Sequence, residues 1–116
     1  MDEISIKGIR GFGYHGVFEE EKKNGQEFIV DLAIERDLSV PGSSDALADT
    51  VDYGAIAIRT KELIESGSFN LIERLATVIA EKLKSEFTLT AIEVTVHKPS
   101  APVAVDFSDI AVTIRR

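Results

Sequence analysis

The order in which apolar residues alternate and recur along this chain constrains its fold more than any other feature. Apolar and polar residues alternate with the period of a half-buried β-strand in segments 4–12, 26–38, 90–98 and 107–115. Between the second and third of these segments, apolar residues recur twice at helical spacing. Strands, then helices, then strands are typical of the α+β class. The sequence therefore predicts an antiparallel four-stranded sheet with two helices on one face, in the order ββααββ.

Glycine and proline mark where the chain bends. Gly8 falls where the alternation of the first strand changes phase, so we predict a β-bulge there. Residues 13–25 form a long connection to the second strand, and long loops often carry function. Residues 39–51 contain Pro41-Gly42 and are predicted to be a loop.

Both helices have sequence signals at their ends. Asp52 is the predicted N-cap of the first helix and Gly67 its C-terminal stop. The second helix is predicted to begin at Asn70, where Glu73 three residues later completes a capping box. The predicted buried stripes are Tyr53, Ile56, Ala57, Thr60, Leu63 and Ile64 on the first helix and Leu71, Leu75, Val78, Ile79 and Leu83 on the second.

Two helices can cover only one face of such a sheet. The other face is not uniformly polar, because Ile29 and Ala33 lie on it. Two strand edges also remain free, and exposed edges invite pairing with another chain. A closed homo-oligomer would cover these surfaces, and the pattern alone leaves its size open.

Composition narrows the classes of function. A length of 116 residues predicts a single domain, 1–116. The net charge of -7 and the absence of a basic stripe argue against a nucleic-acid partner. With no cysteine, and only His15 and His97 as histidines, the chain lacks the ligands of a Cys-based or three-histidine zinc site. No apolar run is long enough for a membrane span or a signal peptide, so we expect a soluble, cytoplasmic domain without a membrane partner.

Five short motifs resemble the dihydroneopterin aldolase family of folate biosynthesis. They are Gly13-Tyr14-His15-Gly16, Gly25-Gln26, Asp49-Thr50-Val51-Asp52-Tyr53, Asn70-Leu71-Ile72-Glu73 and Lys98-Pro99. Each motif is weak alone, but together they follow the family's order and spacing over essentially the whole chain. The stretch from Val96 to Pro102 is most similar to the actinobacterial branch.

The resemblance implies a fold, an assembly and a reaction. It implies the tunnelling fold, in which sheets join between subunits into a barrel, as a homo-oligomer of four or eight with active sites between adjacent subunits. It implies retro-aldol cleavage of a small pterin, 7,8-dihydroneopterin, to 6-hydroxymethyl-7,8-dihydropterin and glycolaldehyde, with 2'-epimerisation as a side reaction. Because the ring imine of the substrate accepts the electrons, no cofactor, metal or lysine Schiff base is expected. Activity should therefore survive a chelator, and borohydride should leave no adduct on Lys98.

Lys98 is the first candidate for acid–base work. Its position in line with Val94 and Val96, before a proline, puts it at the end of an apolar strand face. The pattern alone favours a lysine whose stem covers the sheet while its charge reaches water. The resemblance favours the catalytic role, because the catalytic lysine of the family falls on this residue.

Glu73 is the candidate anchor for the pterin ring. A carboxylate accepts two parallel hydrogen bonds from an amino group and a neighbouring ring N–H. The spacing Asn70-x-x-Glu73 alone favours a helix cap instead. The resemblance places the pterin-binding glutamate here and so favours the ligand role.

The resemblance adds further site residues. Tyr53 is implied as the proton donor to the enol-like intermediate, contributed by the neighbouring subunit, although its spacing equally fits a core aromatic. Glu21 is implied as a catalytic and substrate-binding partner of Lys98, whereas Glu19 and Glu20 fit a solvated loop. His15 is expected to brace the turn of residues 13–16. Residues expected to line the pocket are Val51, Leu71 and Ile72.

Two alternatives stay open at this point. Dihydroneopterin triphosphate epimerase shares the fold, but a triphosphate needs several cations and the loops here are mostly acidic. A non-catalytic, small-molecule-binding α+β oligomer would also explain the pattern of strands and helices. It would not explain why Lys98, Glu21, Tyr53 and Glu73 fall on the positions of one family.

Overall fold

The computed structural model describes residues 1–116, and the predicted elements follow in the predicted order with three short helical additions. The strands are β1 (Asp2–Gly13), β2 (Gln26–Arg36), β3 (Ala91–His97) and β4 (Ala111–Arg115). The helices are α1 (Glu19–Asn24), α2 (Ser39–Ser44), α3 (Tyr53–Glu65) and α4 (Ile72–Phe87), with one turn of 3₁₀-helix at Leu47–Asp49.

The four strands form one antiparallel sheet in the order β1-β2-β3-β4, as predicted. Ile34 of β2 lies opposite Ile4 of β1 and Ile92 of β3, so the apolar residues of neighbouring strands share one face. The pairing of β1 with β2 shifts register between Ile6 and Ile9. Gly8 lies in this bulge with a φ of +77°, a left-handed conformation that glycine adopts without strain. The predicted bulge is confirmed.

The hydrophobic core lies between this face and the two long helices. α3 packs on β1, and α4 packs on β3 and β4. The core residues of the two central strands are Phe28, Val30, Leu32, Ile34, Ile92, Val94 and Val96. The opposite face of the sheet is left uncovered, and β1 and β4 each have one unpaired edge. No helix combines the length and apolar character needed to cross a membrane.

The first long helix begins and ends as predicted, but the second does not. Asp52 caps α3 by accepting a hydrogen bond from the Ala55 N–H at 3.1 Å, and Gly67 follows the helix with a φ of +66°. α4 begins at Ile72, with Leu71 as an N-cap that makes no side-chain hydrogen bond. The predicted capping box of Asn70 and Glu73 is therefore wrong.

The reason for the late start of α4 lies in the segment before it. The Phe69 N–H donates to the His15 ring at 3.0 Å, and the Phe69 carbonyl accepts the Gly16 N–H at 2.9 Å. Both backbone groups of Phe69 are thus committed to the turn that follows β1. The chain stays extended through Leu71, where φ is -119° and ψ is 140°.

Other predicted boundaries also need correction. Residues 39–51 are not all loop, because Pro41 lies in the first turn of α2, where a missing N–H is tolerated. The acidic run predicted as a solvated loop is helix α1, whose glutamates at the start and lysines at the end suit the helix dipole. β4 begins at Ala111 rather than at residue 107. Tyr53 and Leu71 are 66% and 49% exposed, so neither belongs to a buried stripe.

Candidate active site

A cavity of about 480 Å³ opens where α1, the start of α4 and the segment after β3 meet. Eight of its 13 lining residues are hydrophobic. The lining residues are Val17, Phe18, Glu21, Asn70, Leu71, Ile72, Glu73, Lys98, Ala101, Pro102, Val103, Ile110 and Val112. A mostly apolar cavity with a few charged groups is the usual form of a small-molecule site.

Lys98 and Glu21 meet at this cavity as a buried ion pair. Lys98 continues the core-facing parity of Val94 and Val96, and its Nζ lies 2.5 Å from Glu21 Oε2. The side chains are only 14% and 7% exposed, respectively. The structure thus brings together two residues that are 77 positions apart in the sequence. Their contact places one proton-bearing cation and one carboxylate at the same wall.

Glu21 is held by neutral donors as well. Its carboxylate accepts the Phe18 N–H at 3.3 Å and the Gln26 Nε2–H at 3.0 Å. Burial alone would raise the pKa of Glu21, but the hydrogen bonds from Lys98, Phe18 and Gln26 outweigh it and hold that pKa below its ordinary value. Glu21 is therefore ionised at neutral pH.

The chain approaches this carboxylate closely at Gly16. A Cβ atom at Gly16 would lie 2.3 Å from Glu21 Cδ, so any side chain there would displace the carboxylate. The glycine that ends the Gly13–Gly16 motif thus lets the backbone pack directly against the Glu21 carboxylate.

Glu73 presents a free carboxylate to the cavity. It is the second residue of α4, it is exposed, and its side chain makes no hydrogen bond or ion pair. The carboxylate is therefore available to a ligand with paired N–H groups. Leu71 and Ile72, which precede it, line the same cavity.

His15 braces the turn beside the site, as predicted. Its Nε2 lies 2.7 Å from the Ile64 carbonyl, while Nδ1 accepts the Phe69 N–H. Because Nδ1 accepts, the ring is neutral and its proton is on Nε2. The ring is fully buried, stacks on Phe69 and meets the edge of Phe28. Burial lowers the pKa of His15, so the neutral form persists.

Two predicted site residues lie outside this cavity. Tyr53, at the start of α3, is exposed and is absent from the lining. The Val51 side chain is 7% exposed and belongs to the hydrophobic core, so within one chain it does not line the cavity.

Sequence reasoning missed several residues that the structure places at or near the site. Gln26, which orients Glu21, belongs to the Gly25-Gln26 motif, but nothing in the sequence indicates its role. Pro102 and Val103 form one wall of the cavity, and only their position after Lys98-Pro99 could have indicated it. The alternation of β3 indicates only a strand position for His97, although its ring lies between two carboxylates.

The family model and the curated relatives that match this chain are dihydroneopterin aldolases. A family model described as dihydroneopterin aldolase matches residues 4–115. A dihydroneopterin aldolase of Streptococcus pyogenes serotype M3 is 43% identical over 117 residues, covering 100% of this chain and 98% of the relative. That of Streptomyces coelicolor is 40% identical over 116 residues, with the same coverage. The actinobacterial relative is thus no more similar than the streptococcal one, and the branch stays a prediction.

The fold agrees with a solved structure as well. The crystal structure of E. coli dihydroneopterin aldolase in complex with neopterin matches with a TM-score of 0.91 and 28% identity. The match covers 100% of this chain and 99% of that chain.

Proposed function

The chain belongs to the dihydroneopterin aldolase family, and from this we propose that its cavity holds the pterin ring of 7,8-dihydroneopterin while Lys98 and Glu21 move the protons of its cleavage. The observation that carries the proposal is the buried Lys98–Glu21 pair beside a cavity into which Glu73 presents a free carboxylate.

The reaction is a retro-aldol cleavage to 6-hydroxymethyl-7,8-dihydropterin and glycolaldehyde. A side-chain hydroxyl of the substrate loses its proton, and the neighbouring carbon–carbon bond breaks. The electron pair of that bond moves into the ring imine, and the resulting enol-like carbon then takes up a proton. The protein has to supply the proton transfers, an anchor for the ring and a pocket that limits water.

Lys98 and Glu21 act together in the proton transfers of the reaction. Glu21 fixes the Lys98 ammonium beside the substrate hydroxyls and contacts those hydroxyls with its own oxygens. Lys98 takes up the hydroxyl proton as it passes one of its own protons to the Glu21 carboxylate, and the positive charge that Lys98 keeps stabilises the alkoxide that forms. The low exposure of both side chains strengthens these electrostatic interactions.

Glu73 anchors the ring. The amino group and the adjacent ring N–H of a pterin present two parallel donors, which one carboxylate accepts together. The position of Glu73 in the first turn of α4 limits its movement, and the apolar walls formed by Leu71 and Ile72 accommodate the flat ring.

The active enzyme is a homo-oligomer of four or eight subunits in which Tyr53 reaches the cavity of its neighbour and donates the proton to the enol-like carbon. The unpaired edges of β1 and β4 support the assembly. The exposed side chain of Tyr53, outside the cavity of its own chain, supports the role between subunits. Val51, two residues earlier, would contribute through its backbone. A cytoplasmic location stays a prediction.

The comparisons support the aldolase and not the alternatives. The only basic residue that lines the cavity is Lys98, and it is already paired, so the cations that a triphosphate needs are missing. A non-catalytic binding protein would have no use for a buried acid–base pair beside the ring site. Some 2'-epimerase activity follows from the mechanism, since the aldehyde can add back to the other face.

The test is incubation with 7,8-dihydroneopterin followed by detection of glycolaldehyde. The wild-type protein should release it with or without a chelator, and Lys98→Ala should release it at least about 100-fold more slowly. Lys61→Ala is the matched control, because Lys61 pairs with Glu65 on the exposed face of α3. The proposal would be overturned if the wild-type protein released no glycolaldehyde. It would also be overturned if Lys98→Ala and Lys61→Ala lost the same share of the release rate.

A further inference from the structure

A three-residue cluster of charge lies on the face of the sheet opposite the helices, directly beside Lys98. His97 is the last residue of β3, and its Nε2 lies 2.7 Å from Asp31 Oδ2 of β2. Its Nδ1 lies 2.6 Å from Asp109 Oδ2, just before β4. The His97 side chain is 23% exposed, whereas Asp31 and Asp109 are 31% and 39% exposed, so the ring is the most shielded member of the cluster.

The geometry fixes the protonation of the ring. An ionised carboxylate only accepts hydrogen bonds, so both ring nitrogens have to carry a proton. His97 is therefore an imidazolium between two carboxylates. Burial alone would lower the pKa of His97, but the bonds to Asp109 and Asp31 outweigh burial and raise that pKa above its ordinary value.

The cluster links β1, β2 and β3 to the segment just before β4. Asp31 also accepts the N–H of Gly8, in the bulge of β1, at 2.8 Å. Asp109 lies next to Ile110, whose carbonyl accepts the Lys98 N–H at 2.7 Å. The imidazolium thus closes the base of the segment 98–110, which begins with Lys98 and includes Pro102 and Val103 of the cavity wall.

We propose that His97, held as an imidazolium between Asp31 and Asp109, is a positioning residue that fixes Lys98 against Glu21. The proposal rests on the proposed function, because it assigns a role in the same proton transfer. His97 does not reach the cavity, since its side chain lies on the opposite face of the sheet from that of Lys98.

Loss of one proton from His97 should release Asp109 rather than Asp31. The ring would then donate only one hydrogen bond. Asp31 is fixed within β2 and by the Gly8 N–H, whereas Asp109 lies in a loop. The charged groups that face the ring are Asp31 and Asp109, with Lys7 of β1 near Asp31. The segment 98–110 would loosen at its base, and turnover should fall on the alkaline side.

The experiment compares wild type, Asp109→Asn and Glu93→Gln. Asp109→Asn keeps the shape of the side chain but removes its charge, so it should lower the pKa of His97. Glu93→Gln is the matched control, because Glu93 pairs with Arg115 across the same two strands at their other end. NMR of labelled histidine follows the titration, since the chain has only His15 and His97, and His97→Gln assigns the signals.

In wild type, the alkaline loss of turnover should follow the His97 titration. In Asp109→Asn, the His97 titration and the alkaline loss of turnover should both move to lower pH. Turnover at slightly alkaline pH should fall about tenfold, while product affinity changes by less than about threefold. His97→Gln should be slow at every pH, and Glu93→Gln should match wild type.

Two results would overturn the proposal. One is a lowered His97 pKa in Asp109→Asn with an unchanged pH profile of turnover. The other is equal damage from Glu93→Gln, which would indicate general loosening of the sheet. A wild-type protein that released no glycolaldehyde at any pH would instead overturn the proposed function, and with it any positioning role.

Discussion

Glu21 is the residue on which the site depends most. Its carboxylate accepts from Lys98, Gln26 and the Phe18 N–H while it is almost completely buried. Burial of a charge is unfavourable unless its partners compensate for lost water, and here three donors do so. The ion pair and the short helix α1 that positions it are therefore one unit.

Glu21→Gln should destabilise the fold. It removes the charge that compensates the Lys98 ammonium and leaves a buried cation unpaired, which costs about 3 kcal/mol. The measurement is urea unfolding at pH 7 and fixed protein concentration. Glu20→Gln, one residue earlier and exposed, should stay within about 0.5 kcal/mol of wild type. Equal stability of the two variants would contradict the assigned role of the pair.

The pH dependence of this contribution has a definite sign. The pKa of Glu21 is lower in the folded state than its ordinary value of 4.5. The pair therefore contributes stability above about pH 4.5, and this contribution is lost as the pH falls through the folded-state pKa. The stability difference between wild type and Glu21→Gln should shrink over the same range.

At the scale of elements, the buried ring of His15 connects the end of β1 to the segment between α3 and α4. It holds the Ile64 carbonyl at the end of α3 and the Phe69 N–H before α4. This connection sets where α4 begins and hence where Glu73 faces the cavity. A single neutral imidazole thus orients the helix that carries Glu73, the proposed anchor of the ring.

Protonation of His15 should weaken this connection. Burial lowers the pKa of His15 below its ordinary value of 6.5, so the unfolded chain takes up the proton first as the pH falls. The stability that His15 provides is present above about pH 6.5 and declines below it. The gap in unfolding free energy between wild type and His15→Gln should therefore narrow between pH 7 and pH 5. A constant gap would contradict the assignment.

The periodicity of the sequence predicted those elements whose side chains face the core. The alternation of Val94 and Val96, and the phase change at Gly8, correspond directly to β3 and to the bulge. The start of α4 could not be predicted, because it depends on the contact of Phe69 with His15, 54 residues away.

Contacts between residues far apart in the sequence also limited the prediction of the site. Lys98 and Glu21 came from a family resemblance, because no local pattern relates two residues that meet only after folding. The link of His97 to Asp31 and Asp109 was missed because it joins two strands and a loop through side chains on the polar face of the sheet.

At the scale of the whole molecule, we propose that one chain is an incomplete enzyme. Two sheet edges are unpaired, and Tyr53 is 66% exposed away from the cavity of its own chain. Light scattering should give a particle of four or eight times 12.7 kDa. A stable monomer at working concentration would contradict the site between subunits.

Shared sites can be tested by mixing inactive variants. Lys98→Ala and Tyr53→Phe should each be slow, and subunit exchange between them should restore activity, because some sites then receive both intact residues. Tyr14→Phe is the control, since Tyr14 is the only other tyrosine. No recovery in proven mixed oligomers would show that Tyr53 acts within its own chain or not at all.

The central claim is that Glu73 binds the ring and Lys98 moves protons, and the most direct test measures both properties in both variants. Equilibrium binding of a product-like pterin is compared with single-turnover cleavage. Glu73→Ala should lose two charge-assisted hydrogen bonds, about 2–4 kcal/mol or roughly 30- to 1,000-fold in affinity. Lys98→Ala should keep most of its affinity and lose about 100-fold or more in the rate of cleavage. Lys98 would not be the residue that moves protons if Lys98→Ala abolished binding while its bound fraction cleaved normally. Glu73 would not be the anchor if Glu73→Ala bound the pterin as wild type does.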